Sequence, residues 1–253
     1  MLFFRIVKRI KQIFLKFRNI EISGKKVHIL ASKRTEYVRS AILCANSIWE
    51  HSPEITIVIH TDIQNSQLIK MKFNKFDRGD RISINLLNEN STWQQHKLHI
   101  ILNEMQPHDI FSDSDIFWNG PIPAVTKTLI FVKENEKFKN EPYRTLSELC
   151  SWGEEFEINM FNTSVISLGL NLNIRSFKSD VLKAYTEIEN AIAFNELPDH
   201  WNSKIKRLIE QLSISYALSQ LRQEDFSCLK EKDRPMDGSI AESYYLGTTL
   251  GWD

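Results

Sequence analysis

The sequence predicts an α/β fold, a mostly parallel sheet flanked by helices, with one domain spanning residues 26–253 behind an amphipathic helix at residues 1–22. Three observations carry this. Val27-His28-Ile29-Leu30-Ala31, Ile55 to His60 and Arg81 to Leu86 are short runs of strand length, apolar or alternating. Tyr37, Ala41, Cys44, Ala45 and Ile48 recur at helical spacing between the first two and stop before Pro53, and a second helix-like patch precedes the third. Strand, helix, strand, helix, strand is the order of a parallel sheet wrapped by helices. A chain of 253 residues is long enough to bury a substantial core in a single domain.

The elements continue in order. Thr35 is a plausible cap for the first core helix. Leu98, Ile101, Leu102 and Met105 mark a helix over 92–105, stopped by Pro107. An apolar run then leads into Asp113-Ser114-Asp115. Leu129 to Val132 reads as a strand, and the charged stretch Lys133 to Asn140 as a hairpin or mobile loop. Residues 157–168 set Asn162-Thr163-Ser164 between apolar runs. Val181, Leu182, Tyr185, Ile188 and Ile192, and then Ile205, Leu208, Ile209, Leu212 and Tyr216, mark two late helices.

Composition narrows the class of partner. Lys+Arg and Asp+Glu are both 32, so the balance shows no basic excess of the kind that nucleic-acid binding needs. The first 20 residues nonetheless hold Arg5, Lys8, Arg9, Lys11, Lys16 and Arg18 with no acid. Phe3, Ile6, Val7, Ile10, Ile13, Phe14 and Phe17 make the opposite face apolar. Such a segment is too charged to span a bilayer. It suits an anionic membrane surface, with packing on the same fold or on a partner subunit as the other reading. Three widely spaced cysteines, Cys44, Cys150 and Cys228, fit a reducing compartment. Together these place the chain in the cytoplasm, peripheral on the inner face of a membrane.

Asp113 and Asp115 are the first site candidates. At i and i+2 of an extended segment, two side chains share one side. Paired carboxylates resist joint ionisation unless a cation sits between them, and a hard divalent ion, Mg²⁺ or Mn²⁺, suits that role. A plain polar turn is the alternative. Ligands gather at the carboxyl ends of strands in open α/β sheets, and Asp62 sits at another such end.

The order of these pieces resembles the GT-A fold glycosyltransferases, a Rossmann-related group that uses nucleotide sugars. The resemblance covers roughly residues 26–225. It rests on the N-terminal α/β half, Lys97 on the helix before an apolar strand, Asp113-Ser114-Asp115, Phe161-Asn162-Thr163-Ser164-Val165 and Ile209-Glu210-Gln211-Leu212 opening a late helix. It implies that Asp113 and Asp115 hold Mn²⁺ or Mg²⁺ on the donor diphosphate, Asp115 being counted with the catalytic residues. It implies that Asp62 and Lys97 contact the nucleotide, that Asn162 and Thr163 line the sugar pocket as donor or acceptor contacts, and that Gln211 is a further substrate or nucleotide contact. Glu210 would be a base or acceptor contact. The implied partners are a nucleotide-sugar donor, a UDP-sugar being the guess, and a glycan or lipid-linked acceptor.

The tail departs from that pattern. Relatives often supply a third metal ligand, a His near the C-terminus, whereas the last histidine here is His200. A water, Asp253 or a weaker metal site would have to substitute. Position by position, the simpler readings are a surface acid for Glu210, a surface charge for Lys97 and a strand-ending turn for Asn162. His96, His99 and His108 lack a Cys or Glu at zinc-ligand spacing on the same helix. A haloacid-dehalogenase-like phosphatase also places Asp-x-Asp after an apolar strand, with Asp113 as nucleophile and Asp115 as acid. Its motif, however, stands near the start of its domain. A non-catalytic binding subunit on the same GT-A fold is the third reading.

Overall fold

The structure, a computed structural model, describes residues 25–74, 79–125, 127–137, 140–152, 159–170, 172–194, 197–222, 225–229 and 236–237. The amphipathic helix expected over 1–22 and the stand-in ligand Asp253 lie outside these residues. In chain order the elements are β1 (Lys26–Leu30), α1 (Thr35–His51), β2 (Thr56–Thr61), α2 (Ile63–Asn74) and β3 (Ile82–Leu86). Then come α3 (Trp93–His99), which runs into a π-helical turn Ile100–Glu104, β4 (Ile110–Asp113), β5 (Ile116–Phe117) and β6 (Thr128–Lys137). The rest are α4 (Tyr143–Leu149), β7 (Asn159–Ser167), α5 (Ile174–Ala193), α6 (Asp199–Ser219), β8 (Phe226–Cys228) and β9 (Met236–Asp237).

Seven strands form one sheet in the order β3-β2-β1-β4-β7-β6-β8. The pairs β3/β2, β2/β1, β1/β4 and β6/β8 are parallel, while β7 runs antiparallel to both β4 and β6. The expected mostly parallel sheet flanked by helices is therefore present. β5 and β9 form a separate two-stranded ladder.

Alternation along each strand sorts the two faces. Ile29, Ile57 and Ile59 turn to one side and pack with Ala41, Cys44 and Ile48 of α1 and Phe73 of α2. Leu30 and Phe111 turn to the other and meet Leu98 and Ile101, with Val181 of α5 and Ile214 of α6. Ser215 tightens this second layer, since its Oγ accepts the Phe161 N–H of β7 at 3.0 Å.

Three local expectations change. Arg34 precedes α1 without a side-chain cap, whereas α3 has a reciprocal one: Thr92 Oγ1 accepts from Gln95 N, and Gln95 Oε1 accepts from Thr92 N. The expected hairpin or loop over Lys133 to Asn140 is in its first part strand, because β6 pairs Lys133 with Phe161 and Lys137 with Asn159 of β7. Glu210 lies mid-helix, since α6 begins eleven residues earlier at Asp199.

Gly169 shows how closely β7's exit passes the start of β6. A Cβ there would lie 2.5 Å from Thr128 N and 2.7 Å from the Lys127 carbonyl carbon, both backbone atoms. Gly169→Ala should cost about 1–3 kcal/mol, measured by urea unfolding; an unchanged midpoint would refute the close approach.

Candidate active site

Lys97 is the centre of the site. The capped first turn of α3 places it one turn into the helix, aimed at the end of β4. Its Nζ lies 3.0 Å from Asp113 Oδ2 and 3.5 Å from Glu210 Oε1, and 5.3 Å from the centroid of the Phe111 ring. Lys97 is only 3% exposed and Glu210 7%. Both simpler readings are thus corrected, for neither is a surface charge. A buried ammonium is tolerated only with partners, and here residues 97, 113 and 210 come from three separate elements to provide them. Burial acts to lower Lys97, but Asp113 and Glu210 outweigh it and hold the ammonium above the ordinary lysine range. Burial raises Asp113 above the ordinary carboxylate range in spite of Lys97.

Two carboxylates share one lysine, and the oxygens turned away from it are unspent. Asp113 Oδ1, Glu210 Oε2 and Thr163 Oγ1 are buried without a hydrogen-bond partner among the described residues. Such groups call for an explanation in a folded protein.

Asp115 is placed differently from its expected role as a strand neighbour. β4 ends at Asp113, and Ser114 and Asp115 form a turn before β5, leaving Asp115 exposed. Alternation therefore does not govern the pair. Both carboxylates nevertheless act on the same spot: with burial as the larger cause, they push the Cys44 thiol up to about 12. Thr163 is fully buried on β7, beside half-buried Asn162, whose Oδ1 accepts from Ser164 N at 2.9 Å. Gln211 is half-buried, next to Glu210 on α6.

Asp62 lines a cavity of about 250 Å³ with Ser32, Lys33, Gln64, Leu87 and His96. Its carboxylate is already engaged: Oδ2 accepts from Lys33 N at 2.7 Å and Asn65 Nδ2 at 2.9 Å, and Oδ1 accepts from Asn65 N at 2.9 Å. Burial works against it, but these donors hold Asp62 below the ordinary carboxylate range. It starts α2 and fixes Lys33, whose φ is 72°. No group of three His, Cys, Asp or Glu able to hold a metal occurs among the described residues. His99 instead pairs with Glu104 at 3.1 Å, and His108 with the Val125 carbonyl.

One polar system was not foreseen from the sequence. His28 Nε2 contacts Asp109 Oδ2 at 3.2 Å, and His28 Nδ1 contacts His60 Nε2 at 2.9 Å, with all three residues buried. The available signal was two histidines closing or interrupting apolar strand runs, which periodicity reads as core. Burial first, then His28, His99 and His96, drop His60 to about 3.

No protein-family model matches the chain, and no curated protein matches it by sequence. The solved structures to which it is similar include glycosyltransferases. With GlyE of Streptococcus pneumoniae TIGR4 it shares 13% identity over 88% of this chain and 49% of that one, with a TM-score of 0.46. With the bifunctional WbbM the figures are 12%, 66%, 34% and 0.44. With the galactosyltransferase LgtC, determined with donor and acceptor sugar analogues, they are 13%, 82%, 74% and 0.47. The chain thus spans about half of GlyE and about a third of WbbM.

Two outcomes follow from this geometry. Lys97→Met strands two buried carboxylates and should destabilise the fold by about 3–5 kcal/mol, with part recovered in Lys97→Met/Glu210→Gln. Equal urea midpoints for Lys97→Met and wild type would show the cluster to be energetically idle. His60 takes a proton near 6.5 when unfolded but only near 3 when folded. Its stabilising contribution is therefore complete above about pH 6.5 and is lost as pH falls towards 3, at about 1.4 kcal/mol per unit within that window. Urea midpoints against pH should slope less in His60→Gln, and parallel curves would contradict the assignment.

Proposed function

We propose that the chain is a GT-A-type glycosyltransferase that moves a hexosyl group from a nucleoside-diphosphate sugar to a glycan or lipid-linked acceptor. The observation that carries this is the convergence of Lys97, Asp113 and Glu210 at the carboxyl end of β4. The resemblance of the sequence named these three separately, from three distant segments. Their meeting, with unspent oxygens, makes a charged, desolvated spot suited to a leaving group.

The residues fit a divalent ion that arrives with its ligand. Asp113 Oδ1 is buried and forms no hydrogen bond of normal geometry among the described residues, although the Ser164 hydroxyl lies near enough to the carboxyl to act on it, and Asp115 stands exposed two residues on. One or two carboxylates suffice for Mg²⁺ or Mn²⁺ when phosphates complete the shell. Such an ion would neutralise charge developing on the departing diphosphate. The protein's own part is separable from the ion. Lys97 holds Asp113 in place and offsets its charge. Glu210, mid-way along α6, steadies Lys97 and keeps its second oxygen without a partner among the described residues. Half-buried Asn162 would offer its amide to sugar hydroxyls beside buried Thr163, and Gln211, next to Glu210 on α6, would be a further substrate contact.

A groove of about 800 Å³ gives the acceptor room. Tyr185, Glu189, Lys206, Arg207 and Ile209 line it, the last being the residue before Glu210. The basic amphipathic segment before residue 22 would bring the enzyme to an anionic lipid surface, where a lipid-linked acceptor resides. Among the described residues no helix is long and apolar enough to cross a membrane.

Calorimetry with UDP and GDP, with and without Mn²⁺, tests the donor site. Metal-supported binding should weaken about tenfold or more in Asp113→Asn, and wild-type-like binding there would sink the proposal. For the chemistry, Glu210→Gln should lose about 10²-fold or more in UDP-sugar turnover. Release of inorganic phosphate from simple phosphomonoesters, without sugar transfer, would favour the phosphatase instead.

A further inference from the structure

Two cavities at the carboxyl edge of β2 and β3 share a wall. The one holding Asp62 and a second of about 370 Å³ are both lined by Leu87, Asn88 and His96. The floor of the second is His60 and Asn85, which face each other in register across β2 and β3. Gln95 and His99 of α3 also line it.

Buried hydrogen bonds fix the polarity of that floor. Asp109 accepts Lys26 N–H at 3.0 Å on one oxygen and Gln106 N–H at 2.9 Å on the other. It is therefore the acceptor towards His28 Nε2 as well. A neutral imidazole has one donor and one acceptor nitrogen. With both rings neutral, His28 gives its Nε2–H to Asp109, so its Nδ1 accepts the Nε2–H of His60. That leaves His60 Nδ1 as a lone-pair acceptor on the ring that lines the cavity. The neighbouring candidate, Asp62, already has three protein donors on its two oxygens.

We propose that the cavity floored by His60 and Asn85 takes the base of the nucleotide, and that His60 Nδ1 selects that base by accepting a hydrogen bond from a ring N–H or exocyclic amine on its edge. This rests on the nucleotide-sugar reading above and gives its base-recognising residue. Asp62 then shapes the adjoining cavity through Lys33 and α2 and does not itself read the base. Asn85, beside His60, offers an amide that can both donate and accept. A base without the donor leaves a buried acceptor unpaired, and sites of this kind reject such ligands more strongly than an apolar pocket does.

The test keeps the full chain and alters the ligand. Calorimetric titration at about pH 8, above the ordinary imidazole range, with UDP, CDP, ADP and GDP in the presence of Mn²⁺ finds the preferred diphosphate. The probe is that same nucleotide with its edge N–H methylated. Methylation should cost about tenfold or more in the wild type. The cost should persist in His60→Gln, whose amide can donate to His28 and accept from the base, and vanish in His60→Leu. In the wild type, the ¹⁵N resonance of His60 Nδ1 should shift with the unmodified nucleotide and stay in place with the methylated one. Equal affinity for both forms, or an unmoved His60 resonance, overturns the assignment while leaving nucleotide binding intact. Failure of all four diphosphates to bind overturns the glycosyltransferase reading itself.

Discussion

A lysine ammonium taken out of water is the constraint on which the functional half of this fold depends. Lys97 is 3% exposed, and an isolated charge at such a place would cost several kcal/mol. Two carboxylates hold it, at 3.0 and 3.5 Å. Because Asp113 ends β4 and Glu210 sits mid-way along α6, the ion pairs lock α3, the sheet and α6 into one arrangement. The trio does not balance. One cation faces two acids, and an oxygen of each acid is left without a partner among the described residues.

The N-terminal half of the sheet was legible because β1 and β2 are buried and read as apolar runs, while β3, half-exposed at the sheet edge, alternates apolar and polar residues. β6 was not legible beyond Val132. Lys133-Glu134-Asn135-Glu136-Lys137 has no apolar alternation, and it is a strand because β7 offers a backbone ladder to it. Glu210 illustrates a second limit. Periodicity finds one apolar stripe, here Ile205, Leu208, Ile209 and Leu212, and assigns the opposite side to solvent. α6 in fact packs on β7 through Ser215 and on α3 through Glu210. A pattern within one helix cannot show that another helix brings the partner charge.

Asp62 and His60 make the converse point. Position at a strand's carboxyl end singled out Asp62, and it does lie in a cavity wall. Its oxygens, however, cap α2 and anchor Lys33 in a left-handed conformation. Location was legible, while the hydrogen-bond economy was not. His28 and His60 lie inside apolar runs that read as strands, and both stand on strands. Their chemistry came from Asp109, dozens of residues away in sequence and adjacent only once β1 pairs with β4.

Both polar systems meet on α3. Successive helical residues point about 100° apart, so His96 can wall the cavities near β2 and β3 while Lys97 reaches the end of β4. The capping box fixes where the helix starts, and the π-helical turn at Ile100–Glu104 changes its pitch immediately afterwards. Turns of that kind often stand at functional sites, and here it sets the phase of only seven residues between two fixed ends. Because Lys97 is pinned by its ion pairs, His96 is pinned with it. The cavity beside Asp62 therefore cannot be reshaped by rotating α3 without breaking the buried charge cluster. The cavity walls near β2 and β3 and the buried charge cluster thus share one rigid support.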